Sequence, residues 1–261
     1  MKLQMIGGGK MAEALLGGLI EQGWAGPADL HVVEPAAERR ATLADSYPGL
    51  SLGESPVAST DAVIAVKPHI VDAVLPILAA AKTPRVLSIA AGVRVAAIEA
   101  GLPAGTPVVR CMPNTPALVG QGAAAIAAGA TASDTDMEWA AGILAAVGTV
   151  AVVEEADLDA VTGLSGSGPA YLFHLAEALI AAGIDEGLSA ETADALTRQT
   201  LLGAAALLSE SGEDPAVLRT NVTSPGGTTA AGLAVFAESD FVGLVGRVVK
   251  AATDRSRELG G

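Results

Sequence analysis

The sequence predicts an α/β protein in which a mostly parallel sheet domain is followed by an all-α domain. Apolar runs typical of buried strands alternate with helical patterns from the first residues to Glu154, as expected for a parallel sheet with crossover helices. After Glu154 the strand-like runs stop and only helical patterns follow. We therefore expect a first domain at residues 1–155 and a helical domain at residues 156–261.

Composition and charge restrict the possible functions. The 261 residues suffice for two domains with their own cores, which are built from small side chains because 51% of the chain is hydrophobic but only 3% is aromatic. The net charge of −14 argues against nucleic acid and anionic membranes as partners. If the ligands are anions, local N–H groups must bind them against this overall field.

Cysteine usage and the N-terminus indicate a cytoplasmic protein. The single cysteine, Cys111, excludes an internal disulfide and fits a reducing compartment. Met1 leads directly into a strand pattern, without the features of a signal peptide. Every apolar run is interrupted by Gly, Pro or a charge before it could span a bilayer.

The first element is a strand that runs into a glycine turn and a helix. Lys2–Ile6 is apolar, GGGKMA starts at Gly7, and helical spacing continues to Gly23. In the fingerprint G-x-G-x-x-G/A, the first glycine makes the tight turn, the second admits the pyrophosphate and the third small residue lets the helix pack on the strand. Gly7, Gly9 and Ala12 occupy these places, which favours a Rossmann-type dinucleotide-binding domain over a plain turn.

The second strand ends at an acidic residue. Leu30–Val33 is followed directly by Glu34, and an acidic residue here accepts hydrogen bonds from the adenosine ribose and repels a 2′-phosphate. This favours NADH. Arg39 and Arg40 lie close enough in sequence to meet a phosphate, although we expect them on a solvated helix face, and the choice between NADH and NADPH stays open.

The third predicted strand places a lysine near the cofactor. Asp61–Val66 is a β-branched run typical of a strand buried on both faces. Ligands of such sheets bind outside the carboxyl ends of the strands, so Lys67 either donates to the nicotinamide-side ribose or phosphate or is an ordinary surface lysine. His69 is expected to be a solvated loop residue.

The remaining strands of the sheet carry small or polar residues at their ends. Arg85–Ile89 opens into the sequence AAG, and Val108–Met112 is followed by PNTP, in which Asn114 is a candidate partner for the carboxamide or the substrate. Cys111 has no histidine near it in sequence, and we interpret it as a core cysteine rather than a nucleophile. The sheet is completed by strands at residues 121–128 and 150–153, with a helix at residues 136–147 between them.

The second half reads as a series of helices. The helix at residues 171–182 is apolar nearly all round, which predicts that a second subunit covers it and that His174 is an interior histidine. The other predicted helices are residues 157–164, residues 190–208 with Ser189 as cap, residues 215–219 and residues 241–259.

The stretch Val222–Thr229, VTSPGGTT, interrupts these helices. It combines four hydroxyls, two glycines and a proline, and Thr228 and Thr229 precede a helical pattern that resumes at about Ala230. Glycines can turn backbone N–H groups toward one point, and a helix N-terminus favours an anion. Taken alone, the stretch favours an ordinary Pro-Gly turn with a threonine cap, and the rest of the chain reverses this order.

The residue inventory indicates chemistry carried by a cofactor. Three scattered histidines and one cysteine lack metal-ligand spacing, and the only lysine after Lys82 is Lys250. A reductase without a proton-donating histidine or lysine in its helical half suits a substrate that arrives protonated, such as an imine.

Several motifs together carry a resemblance to the pyrroline-5-carboxylate reductase family over the whole chain. They are IGGGKMAEAL, AVKP, SIAAGV, RCMPNTP, LSGSGPAYLF and NVTSPGGTTAAGL. The resemblance implies NADPH or NADH as hydride donor, reduction of 1-pyrroline-5-carboxylate to L-proline, and a helical dimerisation domain whose dimers often assemble further, commonly to decamers. Lys10 departs from the family, which often has a neutral polar residue such as Asn there.

The resemblance also implies roles for individual residues. Ser224, Gly226, Gly227 and Thr228 would hold the substrate carboxylate, and Thr229 would donate its hydroxyl toward the ring nitrogen, which makes Ser224 and Thr229 the candidate catalytic residues. With Glu34 and Asn114 added from their positions, the expected cofactor-binding residues are Ile6, Gly7, Gly8, Gly9, Lys10, Met11, Glu34, Ala65, Val66, Lys67, Pro68, Ala90, Ala91, Gly92 and Asn114.

Two alternatives remain at this level. One is a reductase of another imine or of a small 2-oxo acid on the same fold. The other is a dinucleotide-binding sensor or scaffold without turnover, because the sequence shows no strongly acidic or basic catalytic side chain. The sequence alone also leaves feedback by proline open.

Overall fold

The computed structural model describes residues 1–260, and their contacts divide the chain into two compact units. One unit contains Met1–Ser167 together with the end of the chain from Lys250. The other contains Gly168–Val249. We call them the nucleotide unit and the helical unit.

The nucleotide unit is built on an eight-stranded sheet. The strand order is β3-β2-β1-β4-β5-β6-β7-β8, and every neighbouring pair is parallel except β6 and β7. The mostly parallel sheet that the sequence predicts is therefore confirmed. The strands are β1 Leu3–Ile6, β2 Leu30–Val33, β3 Ser51–Gly53, β4 Ala62–Ile64, β5 Val86–Ser88, β6 Val108–Met112, β7 Gly122–Ala128 and β8 Gly148–Val152.

Helices account for most of the remaining described residues. The α-helices are α1 Lys10–Glu21, α2 Ala37–Ser46, α3 Val71–Ala80, α4 Val95–Ala100, α5 Asp134–Ala145, α6 Leu158–Val161, α7 Gly168–Asp185, α8 Ala190–Ser211, α9 Pro215–Asn221, α10 Thr228–Glu238 and α11 Phe241–Gly260. Short 3-10 turns lie at Pro27–Asp29, Pro68–Ile70, Thr115–Val119 and Glu155–Asp157, and a π-helical turn lies at Thr162–Gly166. The predicted helix at residues 157–164 is thus divided among three shorter turns.

Alternation along the strands places apolar side chains on both faces of the sheet. Leu3 and Met5 pack in one core with residues of α1 and α5, whereas Ile6 packs in a second core with residues of α3 and α4. Gln4 lies between them in sequence and is fully buried. Its amide donates to the carbonyls of Val57 and Thr60, and its oxygen accepts from the Val57 N–H, so this polar group is satisfied within the core.

The antiparallel pairing of β6 and β7 follows from the length of their connection. The nine residues between Met112 and Gly122 are too few for a parallel crossover, which needs a dozen or more. They form a 3-10 turn, Thr115–Val119, which ends at Gly120 in a left-handed conformation. This turn packs against α1.

Two glycines inside helices of the nucleotide unit meet different surroundings. A Cβ at Gly18 in α1 would lie 2.4 Å from Val147 Cγ1 and 2.6 Å from the Ala146 carbonyl oxygen. A Cβ at Gly142 in α5 would make only an ordinary contact, 3.9 Å from Trp24 Nε1. Gly18 is therefore required for the close approach of α1 to residues 146–147.

This difference predicts opposite effects on stability. Gly18→Ala should lower the free energy of unfolding by about 1–3 kcal/mol through overpacking against backbone. Gly142→Ala should raise it by about 0.5–1 kcal/mol, since alanine restricts the unfolded chain more than glycine does. Thermal or denaturant unfolding of both variants checks the pair, and equal effects would contradict the packing argument.

Candidate active site

The glycine turn has the geometry that a dinucleotide-binding turn needs. Gly7 follows β1 with φ +104°, and its N–H donates to the Val33 carbonyl at 2.8 Å. A Cβ at Gly7 would lie 2.7 Å from the Ala65 carbonyl oxygen. Only glycine combines this φ with so close a backbone approach.

The first turn of α1 is left open for an anion. Gly9 is the N-cap residue, no side chain caps this helix, and a Cβ at Gly9 would meet nothing within 4 Å. Ala12, in the third position of the fingerprint, is fully buried. The strand–turn–helix context of the motif is thus confirmed, and the free N–H groups at the N-terminus of α1 suit a pyrophosphate.

Glu34 lies directly beside this turn. Its Oε2 accepts from the Gly8 N–H at 3.0 Å, and its Oε1 accepts from the Ala36 N–H at 2.9 Å. The carboxylate is thereby fixed at the carboxyl end of β2, next to the fingerprint. In Rossmann folds, an acidic residue at this place binds the adenosine ribose.

The prediction that Arg39 and Arg40 form a solvated helix face was wrong. Arg39 donates to the Gly8 carbonyl and to Glu13, both at 2.6 Å. Arg40 donates to the carbonyls of Glu34 and Pro35 and to the carboxylate of Glu54. Both arginines are half-buried, because α2 packs beside the turn and brings them within reach of its carbonyl groups.

The loops after β4 and β5 contain further residues that are predicted to line the dinucleotide. Residues 65–68 follow β4, where the Ala65 N–H donates to the Ile6 carbonyl at 2.9 Å. Lys67 is exposed and occupies the N-cap position of the short 3-10 turn Pro68–Ile70. His69 is also exposed, as expected. In the loop after β5, Gly92 has φ +75°.

The carboxylate of Glu155, which was not predicted from the sequence as a functional group, binds the start of α4 after the β5 loop. Glu155 Oε1 accepts from the Val95 N–H at 2.7 Å and from Arg110 Nη1 at 3.0 Å. Arg110 is the single charged residue within the apolar strand β6 and is almost fully buried. A lone arginine in a buried strand was the available signal, since such a charge needs a partner.

Asn114 has a structural role in the nucleotide unit. Its Nδ2 donates to the Ser165 carbonyl at 3.1 Å, and its Oδ1 accepts from the Ala123 N–H at 2.8 Å. The side chain joins the turn after β6 to β7 and to the π-helical turn. A contact to the cofactor would use its second amide hydrogen, and this contact stays a prediction.

In the helical unit, the stretch Val222–Thr229 forms a tight turn between α9 and α10. The Gly227 N–H donates to the Ser224 carbonyl at 3.0 Å, and Gly226 has φ +68°. Proline in the second position and a positive φ in the third are features of a type II turn. The placement of Thr228 and Thr229 at a helix N-terminus is confirmed, and of the two glycines only Gly226 has a conformation that favours glycine.

This turn leaves several polar groups free for a ligand. Gly227 is the N-cap residue of α10, and no side chain caps this helix. The Thr223 hydroxyl donates to the Arg219 carbonyl at 2.6 Å, whereas the hydroxyls of Ser224, Thr228 and Thr229 make no hydrogen bond among the described residues. N–H groups and hydroxyls together form a suitable site for a carboxylate.

His174 of α7 and Cys111 of β6 were both predicted to be interior residues, and they differ in their burial in the single chain. In the single chain His174 is exposed and its Nδ1 lies 3.0 Å from Glu177, so its interior position, which depends on cover by a second subunit, stays a prediction. Cys111 is buried, and burial raises the pKa of its thiol. This confirms it as a core residue rather than a nucleophile.

Within residues 1–260 no group of histidine, cysteine and carboxylate side chains is arranged to hold a metal ion. In the same residues, none of the helices has the length and apolar character that a membrane span requires.

Comparison with known proteins decides the family. Residues 155–259 match the model described as pyrroline-5-carboxylate reductase dimerisation. The pyrroline-5-carboxylate reductase of Pseudomonas aeruginosa is 46% identical, with 99% of this chain and 96% of that protein covered. The chain belongs to the pyrroline-5-carboxylate reductase family. Residues 2–92 match a model described as NADP oxidoreductase, coenzyme F420-dependent.

Solved structures of the family share the fold over the whole chain. A pyrroline-5-carboxylate reductase from Coxiella burnetii has a TM-score of 0.93 and 35% identity, with coverage of 100% of this chain and 98% of that one. The enzyme from Plasmodium falciparum, solved with NADP bound, has a TM-score of 0.84 and 29% identity, with the same coverage. The predicted family and fold are therefore confirmed.

The glycine turn predicts a separation of stability from binding. Gly9→Ala should leave unfolding unchanged, because its Cβ meets no protein atom, but it should weaken dinucleotide binding at least tenfold by filling the place of the pyrophosphate. Gly7→Ala should instead lower the free energy of unfolding by about 1–3 kcal/mol through backbone strain. Dinucleotide titration and thermal unfolding of both variants check this, and normal binding by Gly9→Ala would contradict the placement.

Proposed function

We propose that this protein transfers hydride from NAD(P)H to the C=N carbon of 1-pyrroline-5-carboxylate and produces L-proline, the last step of proline biosynthesis. The observation that carries the proposal is the uncapped turn at Ser224–Thr229 in a chain that belongs to this family. The turn offers backbone N–H groups and free hydroxyls to a small carboxylate, and the glycine turn of the nucleotide unit offers the same kind of site to a pyrophosphate.

The substrate carboxylate is bound by Ser224, Gly226, Gly227 and Thr228. The positive φ of Gly226 turns the backbone between the proline and the helix, and the first N–H groups of α10 lack intrahelical partners. Charge-assisted hydrogen bonds from such donors are stronger than neutral ones. These hydrogen bonds act at short range, so they can bind a carboxylate although the net charge of −14 repels it at long range.

Thr229 acts at the ring nitrogen. The substrate enters as the iminium, hydride adds to the carbon of the C=N bond, and the electron pair of that bond becomes the lone pair of the amine nitrogen. The nitrogen keeps its proton, so no general acid has to deliver one. The Thr229 hydroxyl hydrogen-bonds the nitrogen during this change, and Ser224 fixes the carboxylate.

Most of the rate enhancement in this scheme comes from positioning. Hydride transfer requires the ring to lie against the nicotinamide in the assembled enzyme. Holding two reactants in such a geometry can contribute roughly 7–11 kcal/mol at the limit. This is consistent with a site built from backbone and small side chains, because no strongly acidic or basic group is needed near the reacting carbon.

Lys67, Lys10 and Asn114 complete the cofactor site. Lys67 follows β4 at the carboxyl end of the sheet and is exposed, so its ammonium can reach the nicotinamide-side ribose or phosphate. Lys10 is the first residue of α1 and is also exposed, which places a positive charge near the pyrophosphate. Asn114 donates its second amide hydrogen to the carboxamide.

The protein acts as a cytosolic homodimer, or as a decamer made of five such dimers. Residues 1–155 bind the dinucleotide, and residues 156–261 bind substrate and form the dimer. Large apolar side chains of the helical unit support this, because Phe173 is 66% exposed and Leu202 is 64% exposed in the single chain. A monomeric mass in solution would contradict the dimer.

A direct assay tests the activity. Purified enzyme should consume NADH or NADPH when pyrroline-5-carboxylate is added, and at high pH it should reduce the oxidised dinucleotide with L-proline but not with a panel of small hydroxy acids. Turnover with a hydroxy acid alone would indicate a 2-oxo acid reductase. Dinucleotide binding without turnover of any substrate would indicate a sensor.

Two hydroxyl variants separate the proposed roles. Thr229→Ala should lower kcat/KM for the imine by about 10- to 100-fold, which corresponds to about 1.4–2.7 kcal/mol of transition-state stabilisation, with NADH affinity unchanged. Ser224→Ala should mainly raise KM, by about tenfold, because a charge-assisted hydrogen bond is worth about 1.5–3 kcal/mol.

Thr220→Ala is the matched control for both variants. Its hydroxyl donates to the Ala216 carbonyl within α9 at 2.8 Å, so its loss should leave both kinetic constants near the parent values. Equal loss of imine turnover and NADH affinity in Thr229→Ala would contradict the role at the nitrogen. An unchanged KM in Ser224→Ala would remove this residue from the carboxylate site.

A further inference from the structure

The hydrogen bonds of Glu34 fix a negative charge where the adenosine ribose is bound in this fold. Both carboxylate oxygens accept backbone N–H groups, Oε2 from Gly8 at 3.0 Å and Oε1 from Ala36 at 2.9 Å. One donor belongs to the glycine turn and the other to the segment before α2. The carboxylate cannot turn away from the ribose without leaving two N–H groups unpaired.

The neighbouring arginines are already paired with protein groups. Arg39 donates to Glu13 and to the Gly8 carbonyl. Arg40 donates to Glu54 and to the carbonyls of Glu34 and Pro35. Each guanidinium is therefore neutralised by one carboxylate and held by at least one backbone carbonyl, and neither is available as an unpaired cation for a phosphate.

We infer that Glu34, held by Gly8 and Ala36, makes this enzyme select NADH over NADPH. The inference rests on the proposed function, which makes the dinucleotide the hydride donor. A 2′-phosphate monoester carries between one and two negative charges at neutral pH, and it would meet the fixed carboxylate without a free arginine to offset it. The ribose hydroxyls of NADH instead donate to this carboxylate.

The ion pairs of Arg39 and Arg40 could not be predicted from the sequence. Two arginines five and six residues after an acidic residue are equally compatible with a phosphate site. The ion pairs with Glu13 and Glu54, at 2.6 and 2.7 Å, disfavour that possibility in the folded chain, because the charge of each arginine is already shared with a carboxylate. The preference would differ from that of the Plasmodium falciparum relative if the NADP in its structure reflects its preferred cofactor.

Titration of the enzyme with NADH and NADPH, followed by nicotinamide fluorescence without imine, tests this. The parent enzyme should bind NADH at least tenfold more tightly than NADPH. Glu34→Gln removes the charge but keeps an amide oxygen as acceptor, and it should weaken NADH binding, strengthen NADPH binding and shift the ratio of the two Kd values at least tenfold toward NADPH.

Glu38→Gln is the matched control. Glu38 lies on the same helix, α2, is exposed and forms no ion pair among the described residues, so the variant changes the total charge by the same amount. Its ratio of Kd values should equal that of the parent. A shift as large as that of Glu34→Gln would show a general charge effect and overturn the inference.

Glu54→Gln provides an independent variant that leaves the Gly8–Glu34 contact intact. It removes the carboxylate that pairs with Arg40 and should strengthen NADPH binding several-fold while NADH binding stays constant. The inference is overturned if the parent enzyme binds NADPH as tightly as NADH, or if neither Glu34→Gln nor Glu54→Gln changes the ratio. Equal turnover of pyrroline-5-carboxylate with both dinucleotides would overturn the inference and leave the proposed function intact.

Discussion

The close approach of Gly7 to the Ala65 carbonyl is the constraint on which the nucleotide unit depends. The two residues follow β1 and β4, the strands from which the chain winds outward in opposite directions along the sheet. A distance of 2.7 Å from the hypothetical Cβ to that carbonyl leaves room only for a hydrogen. Because the chain can turn here, α1 begins directly beyond the strand end and presents its first N–H groups at the switch point of the sheet, where ligands of this fold bind.

The helical unit contains a second helix whose first N–H groups follow a glycine turn. α1 and α10 both begin at a glycine N-cap without a side-chain cap, whereas Ser133 and Ser189 cap α5 and α8. A serine cap satisfies the first N–H groups internally, and a glycine leaves them for a ligand. Both glycine termini therefore leave N–H groups that suit an anion.

Much of the fold was predictable because its elements depend on local patterns. The boundaries of β2 and β6 match the prediction, and the last helix extends one residue further than expected. β3 was missed because its three residues, SLG, contain one apolar side chain and no alternation. Its place at the sheet edge is given by pairing with β2, which is a long-range contact that no local pattern encodes.

Side-chain partners were less predictable than elements. The sequence placed Glu34 at the ribose end, but it did not show that Arg39 and Arg40 reach the carbonyls of Gly8 and Glu34, because those contacts depend on how α2 packs. His174 was expected inside because a second subunit would cover its helix, and a periodicity argument does not specify which surface of that subunit does so.

The negative net charge of the chain explains why both Arg39 and Arg40 contact backbone carbonyls beside the glycine turn. With a net charge of −14, the enzyme must bind a diphosphate and, in the proposed reaction, a carboxylate. Arg39 and Arg40 donate to backbone carbonyls beside the turn, so they neutralise the partial negative charges there rather than contact the ligand. The Gly8 N–H of the turn is bound by Glu34, whereas the N–H groups at the uncapped start of α1 remain available to an anion. Anion binding by backbone, supported by arginines bound to carbonyls, is thus compatible with a strongly acidic chain.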